Sequence, residues 1–263
     1  MTTQKSNAYP LVPHFERHLA MTESERQALA ALLVRIVSLE ADQDIVHEGD
    51  RPSHCVLVLE GFAATSKVTA DGRRQTSALH IAGNWPDLQS LHLDVLDSDV
   101  RTISACVLAF VDHDHVRTLC EQYPRLAALL WRTTLIDGAI YREWVTNLGQ
   151  RQAYSRIAHL FCEMMVRMED AGLARDKECA LPLTQSQLGD ASGMSSVHVN
   201  RVLQALREAE LIEFKSGRLQ VLDWDGLVAA GEFDTTYLHR TTNGGTRGQQ
   251  RDPSATNDDP RLQ

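Results

Sequence analysis

Between residues 124 and 149 apolar side chains return every three or four positions, at Leu126, Leu129, Leu130, Ile136, Ile140, Trp144 and Leu148, with Thr133 in the same register. This is the period of a helix that buries one face, and Pro124 suits its first turn, where the missing N–H would have no partner anyway. About 25 residues at roughly 1.5 Å each exceed about 35 Å, more than one face of a small β domain needs. A partner helix is therefore expected to cover the remainder, with Leu126, Leu129, Leu130, Thr133, Ile136, Ile140 and Trp144 as dimerisation residues. The alternative is that the stripe packs only on its own roll. Asp137 is expected at the solvent edge of the stripe. A second helix, from Gln152 to about Glu169, turns Ile157, Leu160, Phe161, Met164, Met165 and Met168 inward.

Ahead of the long helix the pattern shortens. Thr22 and Glu25 have the spacing of a capping box and predict a helix through about Ile36. Short β-like runs follow at 45–50, 55–61, 62–68, 75–81 and 107–111, separated by turn signals such as Asp71-Gly72 and Gly83. Taken alone they predict a small antiparallel barrel.

Downstream, Thr184 and Gln187 form another potential capping box for a short helix that buries Leu188 and Ala191. Gly193 supplies a tight turn, and Ser195 can cap a second helix in which Val199, Val202, Leu203 and Leu206 face inward. The opposite face then carries Ser196, Val197, Asn200, Arg201 and Gln204. Arginine suits guanine, asparagine or glutamine suits adenine, and a valine methyl can meet a thymine methyl. Two further runs, 211–214 and 218–222, alternate about Lys215-Ser216-Gly217 as a hairpin with a cation on each side, Lys215 and Arg218. The expectation is a winged helix-turn-helix that reads DNA through Thr184, Ser195, Ser196, Val197, His198, Asn200, Arg201, Gln204, Lys215 and Arg218. The plainer alternative is a helical hairpin within a globular core.

On Leu183-Thr184, Leu188-Gly189, Gly193, Ser195, Asn200-Arg201, Leu203 and Leu206, the chain resembles the Crp/Fnr family of bacterial transcription regulators. The resemblance extends over roughly residues 15–225. It implies an α+β fold with an N-terminal antiparallel, cyclic-nucleotide-binding-like β-roll, a long dimerisation helix and a C-terminal winged helix-turn-helix. The implied divisions are 1–14 as an N-terminal arm, 15–122 as the roll, 123–149 as the dimerisation helix, 150–238 as the DNA-binding domain and 239–263 as a disordered tail. It also implies base reading near Ser196, Val197, Asn200 and Arg201, dimerisation as a parallel coiled coil, double-stranded DNA and a second copy as partners, and RNA polymerase as a candidate partner. The chain departs from the pattern at Gln185, where a basic or ring-bearing residue is usual, and at His198. The glutamate common near Val197 is absent.

In cyclic-nucleotide-binding members a Gly-Glu pair and an arginine hold the ribose and phosphate. Here the Gly-Glu pair is missing, Leu96 and Asp97 stand where the arginine and its neighbour would be, and Asp97 and Asp99 would repel a phosphate. Cyclic AMP is not expected to bind, and Arg101 is expected to pair with those aspartates at the surface. An altered effector pocket is expected at His80, Gly83, Trp85, Asp87 and Asp97, with ordinary core and loop positions as the equal alternative. An iron-sulfur cluster of the Fnr kind is not expected either, because residues 1–54 contain no cysteine. Cys55, Cys106, Cys120, Cys162 and Cys179 are read as inert thiols, with redox control through Cys120 or a linker Cys179 as the alternative. His80, His92, His113 and His115 lack metal-ligand spacing and are read as surface residues; no metal site is expected.

Composition adds limits. A net charge of −9 means that DNA affinity must rest on local cations and two half-sites rather than on an overall basic field. No run of 18 apolar residues exists and residues 1–10 are polar, so a cytoplasmic location without membrane insertion is expected. No nucleophile elbow, phosphate loop or metal-binding helix is present, and no enzymatic role is expected.

Overall fold

Cys55-Val56-Leu57-Val58-Leu59 is apolar at every position because its strand is buried on both faces, and the N-terminal half is arranged around it. The computed structural model describes residues 4–5, 11–16 and 19–240. Strand β1 (Gln4–Lys5) and helices α1 (Leu11–Glu16) and α2 (Glu23–Ala31) lead into β2 (Val34–Leu39), β3 (Asp44–Val46), β4 (His54–Glu60), β5 (Ala63–Val68), β6 (Arg74–His80), β7 (Asp99–Thr102) and β8 (Cys106–Asp112). They form two four-stranded antiparallel sheets, ordered β1-β2-β8-β4 and β3-β7-β5-β6. Val56, Val58 and Leu108 of the first sheet meet Val46, Ala63 and Val100 of the second in one core. The other side of the first sheet, at Leu57, Leu59 and Val111, is covered by Leu29, Val116 and Leu126 from helices.

Two features of the roll differ from expectation. The Thr22–Glu25 capping box is present, with the Thr22 N–H donating to the Glu25 carboxylate at 2.7 Å, yet its helix stops at Ala31. Val34, Ile36 and Val37 are β-branched and pair instead with Val111, Ala109 and Leu108 of β8, so sheet pairing overrides the helical continuation. Residues 99–102, outside the runs expected to be strands, form the strand between β3 and β5. Arg101 accordingly turns to Asp44, its cross-strand partner, in a two-point ion pair of 2.7 and 3.1 Å, and not to Asp97 or Asp99.

After α3 (His113–Gln122) comes the long helix α4 (Pro124–Gln150), then α5 (Ala153–Asp170). The remainder is β9 (Ala174–Arg175), β10 (Glu178–Ala180), α6 (Gln185–Ser192), α7 (Ser196–Glu208), β11 (Ile212–Lys215), β12 (Arg218–Val221) and α8 (Trp224–Gly231). The third sheet is ordered β11-β12-β10-β9, so the wing hairpin is backed by a second hairpin. Cys179, expected in a linker, is a buried residue of β10 paired with Leu219. One apolar core runs from Phe62, Leu79 and Ile103 of the roll through Ile140 and Trp144 of α4 and the whole inner face of α5 to Leu188, Val199 and Leu203. The fold is thus α+β, with antiparallel sheets, a long helix and a helix-turn-helix in that order.

The stripe expected to dimerise is spent within the chain. Leu126, Leu129 and Leu130 pack against the first sheet and α3, Ile140 and Trp144 against α5, and Thr133 and Ile136 face a cavity. α4 crosses two intrachain cores, which together take up the face that the apolar period marks. The same helix leaves another stripe uncovered: Trp131, Leu135 and Val145 are 68%, 57% and 71% exposed. They fall in register with Ala128, Gly138, Arg142 and Gly149 in alternating steps of three and four. Among the described residues no helix is long and apolar enough to cross a membrane. Residues 241–263 of the expected tail, and residues 1–3 and 6–10 of the expected arm, lie outside the described residues.

Candidate nucleic-acid interface

Local signals build the helix-turn-helix. The Thr184 N–H donates to the Gln187 side-chain oxygen at 2.9 Å and the Gln187 N–H donates to the Thr184 hydroxyl at 3.2 Å, closing the capping box of α6. Gly193 ends α6 in the left-handed region at φ 65°. Gly189 is required for a different reason: a Cβ there would stand 2.5 Å from the Met194 carbonyl oxygen, where the connecting turn folds back on α6. Ser195 caps α7 by accepting from the His198 N–H at 3.3 Å. Val199, Val202, Leu203 and Leu206 are buried, while Ser196, Val197, His198, Asn200, Arg201 and Gln204 are exposed on the outer face.

The side chains on that face are not equally available. Arg201, Arg207 and Lys215 have no ion pair among the described residues. Arg218, at the wing, is held by Glu178 on the neighbouring strand at 2.5 and 2.7 Å, so its charge is partly answered before DNA arrives. Gln204 donates to Glu208 at 2.8 Å. Asn200 donates to the side chain of Gln185 at 3.2 Å, which places Gln185, a departure from the family pattern, on the same face. The wing turn itself is tight, with Ser216 and Gly217 both at positive φ between the paired Lys215 and Arg218.

Two contacts that sequence reasoning missed fasten this unit to the rest of the chain. Arg156 of α5 donates to the carbonyls of Asn147, Leu148 and Arg151 at the end of α4 and to the Ser192 carbonyl at the end of α6. Burial lowers its pKa, and four carbonyl acceptors keep the guanidinium satisfied. On the other side, Gln75 of β6 donates to the Asp190 carbonyl at 2.8 Å, a direct bridge from roll to helix-turn-helix. A lone polar residue in a strand carries no sequence signal for such a role.

The residues assigned to an effector pocket do not come together as one site. His80 is buried and hydrogen-bonded to the Thr65 hydroxyl at 2.7 Å, and burial pushes its pKa down to about 3. Asp87 is wholly buried and accepts from the Val56 N–H at 2.7 Å. Asp97 is exposed, on the turn before β7. Gly83 and Trp85 line a cavity against α4 that His80, Asp87 and Asp97 do not reach. His113, read as a surface residue, is buried and bonded to Ser90 at 3.0 Å. Where the family would hold a cyclic phosphate, Leu96 is buried in the core, Asp99 accepts from the Glu48 N–H, and the nearby Arg101 is committed to Asp44. These residues do not fit a cyclic phosphate. All five cysteines are free thiols, and burial pushes Cys55 and Cys162 up to about 12 and Cys179 up to about 11, far from reactive thiolates.

A roll of two antiparallel sheets, a long helix and a capped, winged helix-turn-helix with a polar outer face define a DNA-binding transcription regulator. Residues 155–230 match the Crp-like helix-turn-helix domain and residues 36–123 match the cyclic nucleotide-binding domain. The chain belongs to the Crp/Fnr family. It is 23% identical over 221 residues to the transcriptional activator protein FnrA of Stutzerimonas stutzeri, covering 82% of this chain and 89% of that one. The nitrogen fixation regulation protein FixK of Azorhizobium caulinodans is 24% identical, covering 78% and 83% respectively. Among solved structures, FixK2 from Bradyrhizobium japonicum superposes with a TM-score of 0.68 at 22% identity, covering 76% of this chain and 98% of the other.

Proposed function

We propose that this regulator acts as a homodimer whose two α7 helices enter successive major grooves of a roughly palindromic site, about one helical turn apart. The observation that carries the reading is the outer face of α7, where Ser196, Val197, Asn200 and Arg201 stand exposed on a helix anchored from behind by four buried aliphatic residues. Arg201 is the guanine reader, Asn200 and Gln204 adenine readers, and Lys215 with Thr184 and Ser195 the phosphate contacts; Arg218 joins them when Glu178 releases it. Dimerisation runs through the uncovered stripe of α4, Trp131, Leu135 and Val145, in place of the residues that α4 buries in its own chain. Gly138 and Gly149 on that stripe allow close approach of the partner helix. The roll senses a signal other than a cyclic nucleotide; the competing reading, a repressor that needs no ligand, is supported by the carboxylates where the phosphate would lie. The protein works in the cytoplasm, with RNA polymerase a candidate partner, and the functional divisions follow 15–122, 123–149 and 150–238.

Selection of bound DNA from a random library tests the reading. A palindromic motif that does not depend on cyclic AMP is expected. Arg201→Ala should cost about 1–3 kcal/mol at a single base pair in each half-site and relax preference there. Unchanged affinity and unchanged base preference would remove α7 as the reader.

A further inference from the structure

Between the roll, α4 and the end of α5 lies a cavity of about 380 Å³, within the range of small-molecule sites. One wall is aromatic and aliphatic: Trp85 on the turn after β6, Phe15 packed edge-on against it at 6.3 Å, and Leu129 and Ile136 of α4. The other wall is charged. Its three arginines are all hydrogen-bonded within the protein, and two of them, Arg167 and Arg240, are paired with carboxylates. Arg132 donates to the His239 carbonyl at 2.6 Å, Arg240 grips Asp170, and Arg167 donates to the Glu163 carboxylate at 3.0 Å, the Leu79 carbonyl at 2.6 Å and the Asn84 side chain at 3.1 Å.

Asp137 is the exception. It lines the cavity from α4, half-buried rather than at the expected solvent edge, and has no hydrogen bond or ion pair among the described residues. Burial pushes its carboxyl up to about 6, against the opposing pull of Arg167. A carboxylate withdrawn from water without a partner is costly, and a donor or cation supplied from the cavity relieves that cost. Arg167 offers little opposition to an incoming cation, because Glu163 already balances its charge.

We propose that this cavity binds a small amphipathic cation, an apolar ring-bearing body lying against Trp85 and α4 with a protonated amine paired to Asp137. The site lies beside Arg167, and that guanidinium touches both halves of the molecule. It holds the roll at Leu79 and Asn84, and it meets Glu163, which also accepts from Trp144 near the end of α4 and from Tyr237. Occupancy therefore bears on DNA affinity, a consequence that rests on the DNA-reading role of α7 whereas the binding itself does not.

The test uses the full chain and three probes of one shape, 2-phenylethylamine, 2-phenylethanol and 3-phenylpropanoate, titrated by ligand-detected magnetic resonance at pH 7.5. Saturable binding of the amine at least ten-fold tighter than the alcohol or the acid is expected. Asp137→Asn should abolish that preference while leaving the alcohol's affinity within about two-fold, and Thr133→Phe, which fills the cavity, should weaken all three; thermal unfolding of each variant confirms that it folds. Equal affinities, preference for the acid, no saturable binding of any probe, or an amine preference that survives Asp137→Asn would each overturn the site. With a selected operator, saturating amine should shift Kd at least three-fold in the native protein and not in Asp137→Asn; an unshifted Kd overturns the link to DNA. Amine binding by a protein that selects no DNA motif instead counts against the role of α7 and leaves the site standing.

Discussion

Glu163 sits wholly buried at the centre of α5, and replacing it by glutamine separates an electrostatic role from a packing one. One carboxylate oxygen accepts from the Trp144 indole N–H and the Tyr237 hydroxyl, both at 3.0 Å, while the other accepts from Arg167 at 3.0 Å. Glutamine has the same shape and only one acceptor oxygen. Whichever way the amide turns, its NH2 faces a donor, either the guanidinium or the indole and phenol. Removing one partner of a buried ion pair costs about 3–5 kcal/mol. Arg167 keeps its bonds to the Leu79 carbonyl and Asn84, so the lower end applies, about 3 kcal/mol out of a total stability on the order of 5–15 kcal/mol. Urea unfolding followed by circular dichroism should show a midpoint lowered at unchanged slope. In a double-mutant cycle with Arg167→Leu and Glu163→Leu, the pair should be less destabilised than the sum of the singles by about 1–3 kcal/mol. A loss below about 0.5 kcal/mol for Glu163→Gln, or additive single effects, would refute the argument and reduce the network to ordinary packing.

Three other outcomes are expected. Val145→Lys and Trp131→Lys, on the uncovered stripe of α4, should convert a dimer to a monomer in sedimentation velocity without loss of helicity, and a dimer that survives both would place the interface elsewhere. Gly231→Ala should lower stability by about 1–3 kcal/mol, since its Cβ would stand 2.7 Å from the His159 backbone nitrogen where α8 crosses α5; a thermal midpoint unchanged within error would contradict that contact. Burial pushes the Asp87 carboxyl up to about 7, well above its value in an unfolded chain, so its contribution to stability is complete below about pH 4 and is lost as pH rises through about 7. Between those limits stability should fall with a slope approaching about 1.4 kcal/mol per pH unit from this group, and Asp87→Asn should flatten that part of the profile; an unaltered slope would show that Asp87 titrates normally.

The helix-turn-helix was readable because its signals are local. Thr184 with Gln187, Gly193, and Ser195 with the residue three further on specify both caps and the turn within residues 184–198, and the burial of Val199, Val202, Leu203 and Leu206 follows from helical period alone. The roll was readable strand by strand where apolar runs were strong, as at β4 and β8, and failed where pairing partners lay far apart. β7 forms because Asp44 and Val46 on one side and residues 63–66 on the other offer it edges. β9 and β10 exist because β12 does, and α2 ends early because β8 claims Val34 to Leu39.

The amino-acid order by itself determined the class of this protein: the capped recognition helix, the length of α4 and the carboxylates where a cyclic phosphate would lie. It also held two stripes on α4, one at Leu126, Leu129, Ile140 and Trp144 and one at Trp131, Leu135 and Val145, without saying which meets the chain's own cores. Only the tertiary structure decided that, since periodicity records that a face is apolar but not what covers it. It also decided the cavity and the Arg167–Glu163 connection, because residues 15, 85, 137, 163 and 167 meet only after the roll, α4 and α5 have packed, and no local propensity encodes a contact between segments so far apart.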